Sequence, residues 1–134
     1  YDNLIKLPSG EFVPAIGTSI GVDRLFAAME SKNLLPKVKT TTKVFIANFG
    51  EESLPEYLQI ASNLRDNGIS VEVFPKKIKL AKQLKIANSK GIPLVLLIGS
   101  DELSSGQVMV KNMEDGSQET VNRDHLTDYL GGVL

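Results

Sequence analysis

Six lysines fall between positions 76 and 90: Lys76, Lys77, Lys79, Lys82, Lys85 and Lys90. Over residues 69–90 only Glu72 opposes them, a local charge of +5. Cations at this density either track a phosphate backbone or coat a solvated helix face. Residues 101–128 show the reverse, with seven acids (Asp101, Glu102, Glu114, Asp115, Glu119, Asp124, Asp128) against Lys111 and Arg123, a local −5. The formal net charge of −1 therefore conceals two segments of opposite sign. A second constellation is Gly17-Thr18-Ser19-Ile20-Gly21-Val22-Asp23-Arg24. Two positions without side chains let a planar ligand approach the backbone. An arginine in the first helical turn can clamp a phosphate with a charge that does not titrate away. The same residues also suit an ordinary strand-to-helix turn with a solvated arginine. They match neither the dinucleotide fingerprint nor a Walker loop.

Other chemistries are excluded by what is missing. There is no cysteine, hence no disulfide scaffold, thiolate nucleophile or thiolate metal site. His125 is the single histidine and reads as a surface or capping residue. Ser19, Ser104 and Ser105 have no His–acid pair in view, so no nucleophile is indicated. Asp101-Glu102 lacks further ligands converging in sequence, and no metal site is expected. With 134 residues, 42% hydrophobic and 23% charged, the chain is ordinary for a soluble globular protein with one main core. Its longest apolar run, residues 94–98, is far short of the ~20 needed to span a bilayer. It begins at Tyr1 with no signal-like segment, and is expected to be part of something longer.

The elements that must position these residues follow from pattern. Pro8-Ser9-Gly10 marks a turn, residues 12–20 a glycine-interrupted strand, and residues 22–29 a helix with Val22, Leu25, Phe26 and Met29 on one face. Residues 36–42 read as a linker. From Lys43 the chain alternates regularly. Residues 43–48 form a strand, and Ser53-Leu54-Pro55-Glu56 matches a capping box opening a helix that ends at Asn67-Gly68. Residues 70–74 form the next strand. A second helix spans 78–90 with Ile78, Ala81, Leu84 and Asn88 on one side, and an apolar strand spans 93–98. Asp115-Gly116 joins strands 106–113 and 117–122 in a hairpin, and Asn122 or Asp124 caps a final helix. Strands alternating with helices imply a parallel core, and the hairpin adds antiparallel strands. The expected fold class is α/β, a mixed five-stranded sheet flanked by helices.

Two stretches carry a resemblance. Tyr1-Asp2-Asn3-Leu4, with Pro14-Ala15-Ile16-Gly17-Thr18-Ser19-Ile20-Gly21-Val22-Asp23-Arg24-Leu25, resembles the end of the catalytic domain of the histidyl-tRNA synthetase family, including the third class II motif. The resemblance implies that Arg24 contacts the phosphates of ATP, bound with Mg2+ in the parent enzyme, and that Gly17 and Gly21 lie near the adenosine pocket. Gly91-Ile92-Pro93-Leu94-Val95-Leu96-Leu97-Ile98-Gly99-Ser100-Asp101-Glu102-Leu103, followed by Ser105-Gly106-Gln107-Val108-Met109-Val110-Lys111, resembles the anticodon-binding domain shared by the histidyl, threonyl, prolyl and glycyl enzymes. This divides the chain into a catalytic-domain remnant (1–35), a linker (36–42) and an anticodon-binding domain (43–134).

The family contacts its tRNA from the loop opening the second helix and from the ends of the next two strands. The matching positions are Lys77 and Lys79, then Glu102 and Lys111. Glu102 either accepts from a guanine edge, which a histidine anticodon contains, or is a solvated loop acid. Lys111 cannot make the planar fork of an arginine, so a phosphate contact is expected there. The implied parent is a cytoplasmic homodimer that attaches histidine to its tRNA with ATP, without a membrane partner. The chain alone is expected to be inactive, since a phosphate clamp without donors around the reacting centre cannot stabilise the transition state. Two other readings stay open. One is a synthetase-like regulatory or interaction domain that senses tRNA. The other is a flavodoxin-like small-molecule domain, in which Asn48-Phe49-Gly50-Glu51-Glu52 is acidic where an anion site is neutral or basic.

Overall fold

A computed structural model describes residues 4–36 and 38–134. Tyr1-Asp2-Asn3 of the first resemblance, and Lys37 of the expected linker, lie outside the described residues. The chain divides into two compact units, Tyr1–Lys37 and Val38–Leu134.

In the first unit, β1 (Ile5–Lys6) and β2 (Phe12–Val13) form a two-stranded antiparallel hairpin. Helix α1 (Val22–Ser31) starts where its apolar spacing places it and runs past residue 29. The strand expected over 12–20 is a strand only at Phe12–Val13. A strand exists by pairing, and among the described residues 14–20 have no ladder partner; Ile16 is 100% exposed. The apolar face of α1 is likewise open, with Val22, Leu25 and Phe26 all exposed.

The second unit contains β3 (Val44–Ile46), α2 (Leu54–Asp66), β4 (Val71–Val73), α3 (Leu80–Lys90), β5 (Leu94–Leu97), α4 (Ser100–Ser105), β6 (Gln107–Asn112), β7 (Gln118–Asn122) and α5 (Leu126–Val133). The sheet order is β4-β3-β5-β6-β7. The first three strands are parallel, with Val44 opposite both Val71 and Leu94, and β6 and β7 are antiparallel. This is the mixed five-stranded sheet expected from the alternation. From β3 the chain steps outward to β4 through α2, then back across β3 to β5 through α3. Right-handed crossovers in opposite directions must use opposite faces. Accordingly α2 and α5 share one core with Val44, Ile46, Leu96 and Val108, while α3 shares the other with Phe45, Ala47 and Val95. Strands covered on both sides read as continuous apolar runs, as β3 and β5 do.

Three local expectations are corrected. Ser53 makes no side-chain cap. Residues Glu51–Ser53 wind as a 3-10 turn directly into α2, so Ser53 sits at φ −93°, ψ 0° rather than in the extended conformation capping requires. Helix α3 begins at Leu80, not Ile78, and it buries Gln83 and Ala87; Ala81 and Asn88 face solvent. The six-residue helix α4 stands where a loop was expected, too short for an apolar period to announce it. The ends of α3 and the hairpin follow the residue types: Gly91 (φ +73°) and Gly116 (φ +78°) occupy left-handed conformations that other residues rarely adopt.

Candidate nucleic-acid interface

Because β3, β4 and β5 are parallel, their C-terminal ends open at one edge of the sheet. The loops 47–50, 74–79 and 98–99 meet there, and antiparallel β6 starts from the same edge. Lys76, Lys77 and Lys79 are exposed on the loop 74–79. Lys79 is the N-cap residue of α3 and makes no side-chain cap, so loop cations and the positive end of the helix dipole coincide. Lys82 and Lys85 extend the basic strip along α3, flanking a shallow groove of ≈ 450 Å³ with Ile78, Ile86 and Ser89.

The neighbours β3 and β4 feed helices on opposite faces, α2 on the first and α3 on the second, which leaves a gap beyond their C-terminal ends. Here Asn48 and Gln83, each about 1% exposed, fill it. The Asn48 N–H donates to Gln83 Oε1 at 2.8 Å, and Gln83 Nε2 donates to the Asn48 carbonyl at 2.7 Å. Asn48 Nδ2 also donates to the Phe74 carbonyl at 3.1 Å, and Gln83 Nε2 to the Ile78 carbonyl at 2.9 Å. Asn48 Oδ1 accepts from the Gly50 N–H at 2.9 Å.

Glu102 sits on α4, at the same edge as the lysine loop. Its Oε2 accepts from the Gly99 N–H at 2.9 Å, which satisfies a free donor at the start of α4. Lys111 is not brought to that edge. It lies opposite Val95 on β6, half-buried, and its Nζ donates to the Gly116 carbonyl at 3.3 Å in the hairpin turn, away from the loop 74–79. Arg24 belongs to the first unit and is exposed in the opening turn of α1, of which Gly21 is the N-cap residue; Gly17 lies in the irregular segment before it. The arginine stem passes over Gly21, 3.8 Å from where a Cβ would stand.

Asn48 and Gln83 escaped the sequence reading. A glutamine at a core-facing helix position looks like solvent-facing polarity until its partners are known. The only signal was an offset: placing the α3 stripe on Leu80, Leu84 and Ala87 puts Gln83 inside it.

Residues 43–132 match the family model for the anticodon binding domain. The chain is 41% identical to the histidine–tRNA ligase of Rhodopirellula baltica over 93% of its own length and 28% of the relative's. It is 34% identical to the histidine–tRNA ligase of Pyrococcus furiosus over 100% and 31%. Among solved structures, histidyl-tRNA synthetase from Nostoc sp. PCC 7120 superposes with a TM-score of 0.72 at 28% identity, covering 85% of this chain and 28% of that one. The apo S. aureus histidyl-tRNA synthetase gives 0.66 at 28% identity, over 81% and 32%. The chain spans less than a third of the length of these relatives. A fold set by two opposed crossovers, a basic loop at the open sheet edge and this match over two thirds of the sequence agree: the chain belongs to the anticodon-binding domain family.

Proposed function

We propose that the loop 74–79 and the start of α3 hold the backbone of a histidine-tRNA anticodon loop, with Lys77 and Lys79 on phosphates and Glu102 accepting from a guanine edge. Recognition of unpaired bases needs cations for the backbone and a few polar groups for base edges. The observation that carries the reading is that exposed Lys76, Lys77 and Lys79 and the Glu102 helix lie at the same end of the parallel strands, on either side of β3, with Leu80 packed on the α3 face and Leu103 on the α2 face. Lys111 is left a peripheral role, a phosphate contact near the hairpin turn.

In this reading the parent is a cytoplasmic, homodimeric ligase that joins histidine to its tRNA using ATP. Arg24 offers a guanidinium to the ATP phosphates, and Gly17 and Gly21 leave room near the adenosine. The exposed arginine in an uncapped first helical turn fits such a contact. Among the described residues no group of three or more His, Cys, Asp or Glu could hold a metal ion; the Mg2+ of this reading is the one bound with ATP. The chain alone forms no histidyl-adenylate. No helix among the described residues is long and apolar enough to cross a membrane.

The test is a titration of the chain with histidine tRNA and with an anticodon-substituted version at several salt concentrations. Anticodon-dependent affinity that weakens with salt supports the reading. Equal affinity for both RNAs, or none for either, rejects it.

A further inference from the structure

We infer that Asn48 and Gln83 are positioning residues for RNA binding. Their amides fix both ends of the segment that displays the lysines, and this rests on the reading of that loop as the RNA contact. The segment Pro75-Lys76-Lys77 is exposed and has no ladder of its own. At its start, the Phe74 carbonyl accepts from Asn48 Nδ2 at 3.1 Å. At its finish, the Ile78 carbonyl accepts from Gln83 Nε2 at 2.9 Å. The two anchors are not independent. The Gln83 amide also pairs with both backbone groups of Asn48, at 2.8 and 2.7 Å, continuing the pairing two residues past Ile46, the last β3 residue bonded to the β4 side. Gln83 is held in turn by α3, where its N–H donates to the Lys79 carbonyl at 3.3 Å. One buried pair of amides thus ties β3, the loop and the helix start together.

The physical consequence concerns the cost of ordering. A loop that must be frozen when RNA arrives spends part of its interaction free energy on lost backbone freedom, and a loop already fixed does not. Buried amide networks in which each member is satisfied are the arrangement that rigidifies without leaving unpaired groups. The node therefore acts through Lys76, Lys77 and Lys79 and touches no RNA itself.

The experiment is a double-mutant cycle on the 134-residue chain, read as affinity for a histidine-tRNA anticodon stem–loop RNA. Gln83→Met keeps length and removes both anchoring functions. Asn48→Ala is the second variant: it leaves the pairing of Gln83 with the residue-48 backbone intact and releases only the Phe74 carbonyl and the Gly50 N–H. Circular dichroism identifies the variants that remain folded. The Lys77→Ala/Lys79→Ala pair is expected to weaken binding roughly tenfold and to flatten the salt dependence by about 0.7 per lost single-strand phosphate contact. In either node background the same lysine pair is expected to cost less than about threefold, because contacts that share one support do not add. A node that serves only general stability leaves the lysine effect unchanged. Equal lysine losses in all folded backgrounds therefore overturn the inference while the RNA reading stands. If the lysine pair has no effect in the unmodified chain, the RNA reading falls and the inference with it. If Gln83→Met does not fold, the Asn48→Ala cycle decides by the same criterion.

Discussion

In the proposed reading Glu102 carries two demands on one carboxylate. Its Oε2 accepts from the Gly99 N–H, which leaves the second oxygen to meet a base. Glu102→Gln keeps an acceptor for Gly99 but replaces the other oxygen with a donor group, which a guanine N1–H cannot use. This variant is expected to melt like the parent and to lose several-fold preference for guanine over adenine at one anticodon position, a shift of about 1 kcal/mol, in line with the loss of a single base contact. Glu102→Ala loses the cap as well, costing about 1 kcal/mol of stability. Paired stem–loop titrations and thermal melts separate the two roles; an unchanged guanine preference in Glu102→Gln removes Glu102 from base reading. Tyr57 makes the contrast beside it, bonding one residue earlier in the same loop. It is fully buried, and its hydroxyl donates to the Ile98 carbonyl at 2.7 Å. Tyr57→Phe leaves that carbonyl buried and unpaired, so a loss of about 1–3 kcal/mol is expected in urea melts, with RNA affinity unchanged. Roles of this kind divide by legibility. The lysines were readable because charge density is a property of sequence. The capping bond of Glu102 was not, because it depends on a helix of six residues that no period betrays.

The elements were legible wherever one periodicity governed them. β3 and β5 are buried on both faces and read as apolar runs; of the α2 face expected at Leu54, Tyr57, Leu58, Ala61 and Leu64, the structure buries Tyr57, Ala61 and Leu64 together with Ile60, while Leu58 is exposed. Reading failed where a polar group was interior, as with Gln83, and where a start depended on the turn before it, as with Ser53. In the hairpin, residue type and geometry agree. The Asp115 carboxylate accepts from the Ser117 hydroxyl at 2.7 Å and from its N–H at 2.8 Å. The Ser117 hydroxyl first, and its N–H second, hold the Asp115 carboxyl below its ordinary value. A folded-state value below the unfolded one means that the ionised carboxylate supports the turn above the unfolded value, near ~3.9, and that this support fades as pH falls through the folded value. Carboxyl NMR titration should therefore find Asp115 titrating lower than an ordinary aspartate, and Ser117→Ala should move it upward. An Asp115 unmoved by that substitution would mean the turn, rather than the serine, sets its acidity.

At the scale of the molecule the two units differ in kind. The buried apolar residues run from Val44 to Leu130, all within the second unit. In the first, Ile5, Phe12, Ile20, Val22, Leu25 and Phe26 are exposed, a density of open apolar surface that soluble domains ordinarily cover. The proposed reading accounts for that contrast: if the first unit comes from the end of a catalytic domain, its strand and helix expect neighbours from the rest of it. Composition alone does not, since the apolar fraction is ordinary throughout. The sheet order was only partly legible for a related reason: alternation fixes a parallel core, but the step from β4 back across β3 depends on crossover handedness and packing. The physical prediction is that residues 38–134 fold by themselves. Both cores lie within that segment, and its five strands have their partners there. A protein of residues 38–134 should melt in a single transition, within about 4 °C of the full chain, the shift that ~1 kcal/mol produces in a domain of this size. It should also bind the anticodon stem–loop with the same affinity and the same salt slope, because Lys76, Lys77, Lys79 and Glu102 all belong to it. The full chain, with its open apolar face, should associate at concentrations where the shorter one stays monomeric in analytical ultracentrifugation. A shortened protein that fails to melt cooperatively would show that residues 1–37 contribute to the core of the second unit, against the burial pattern.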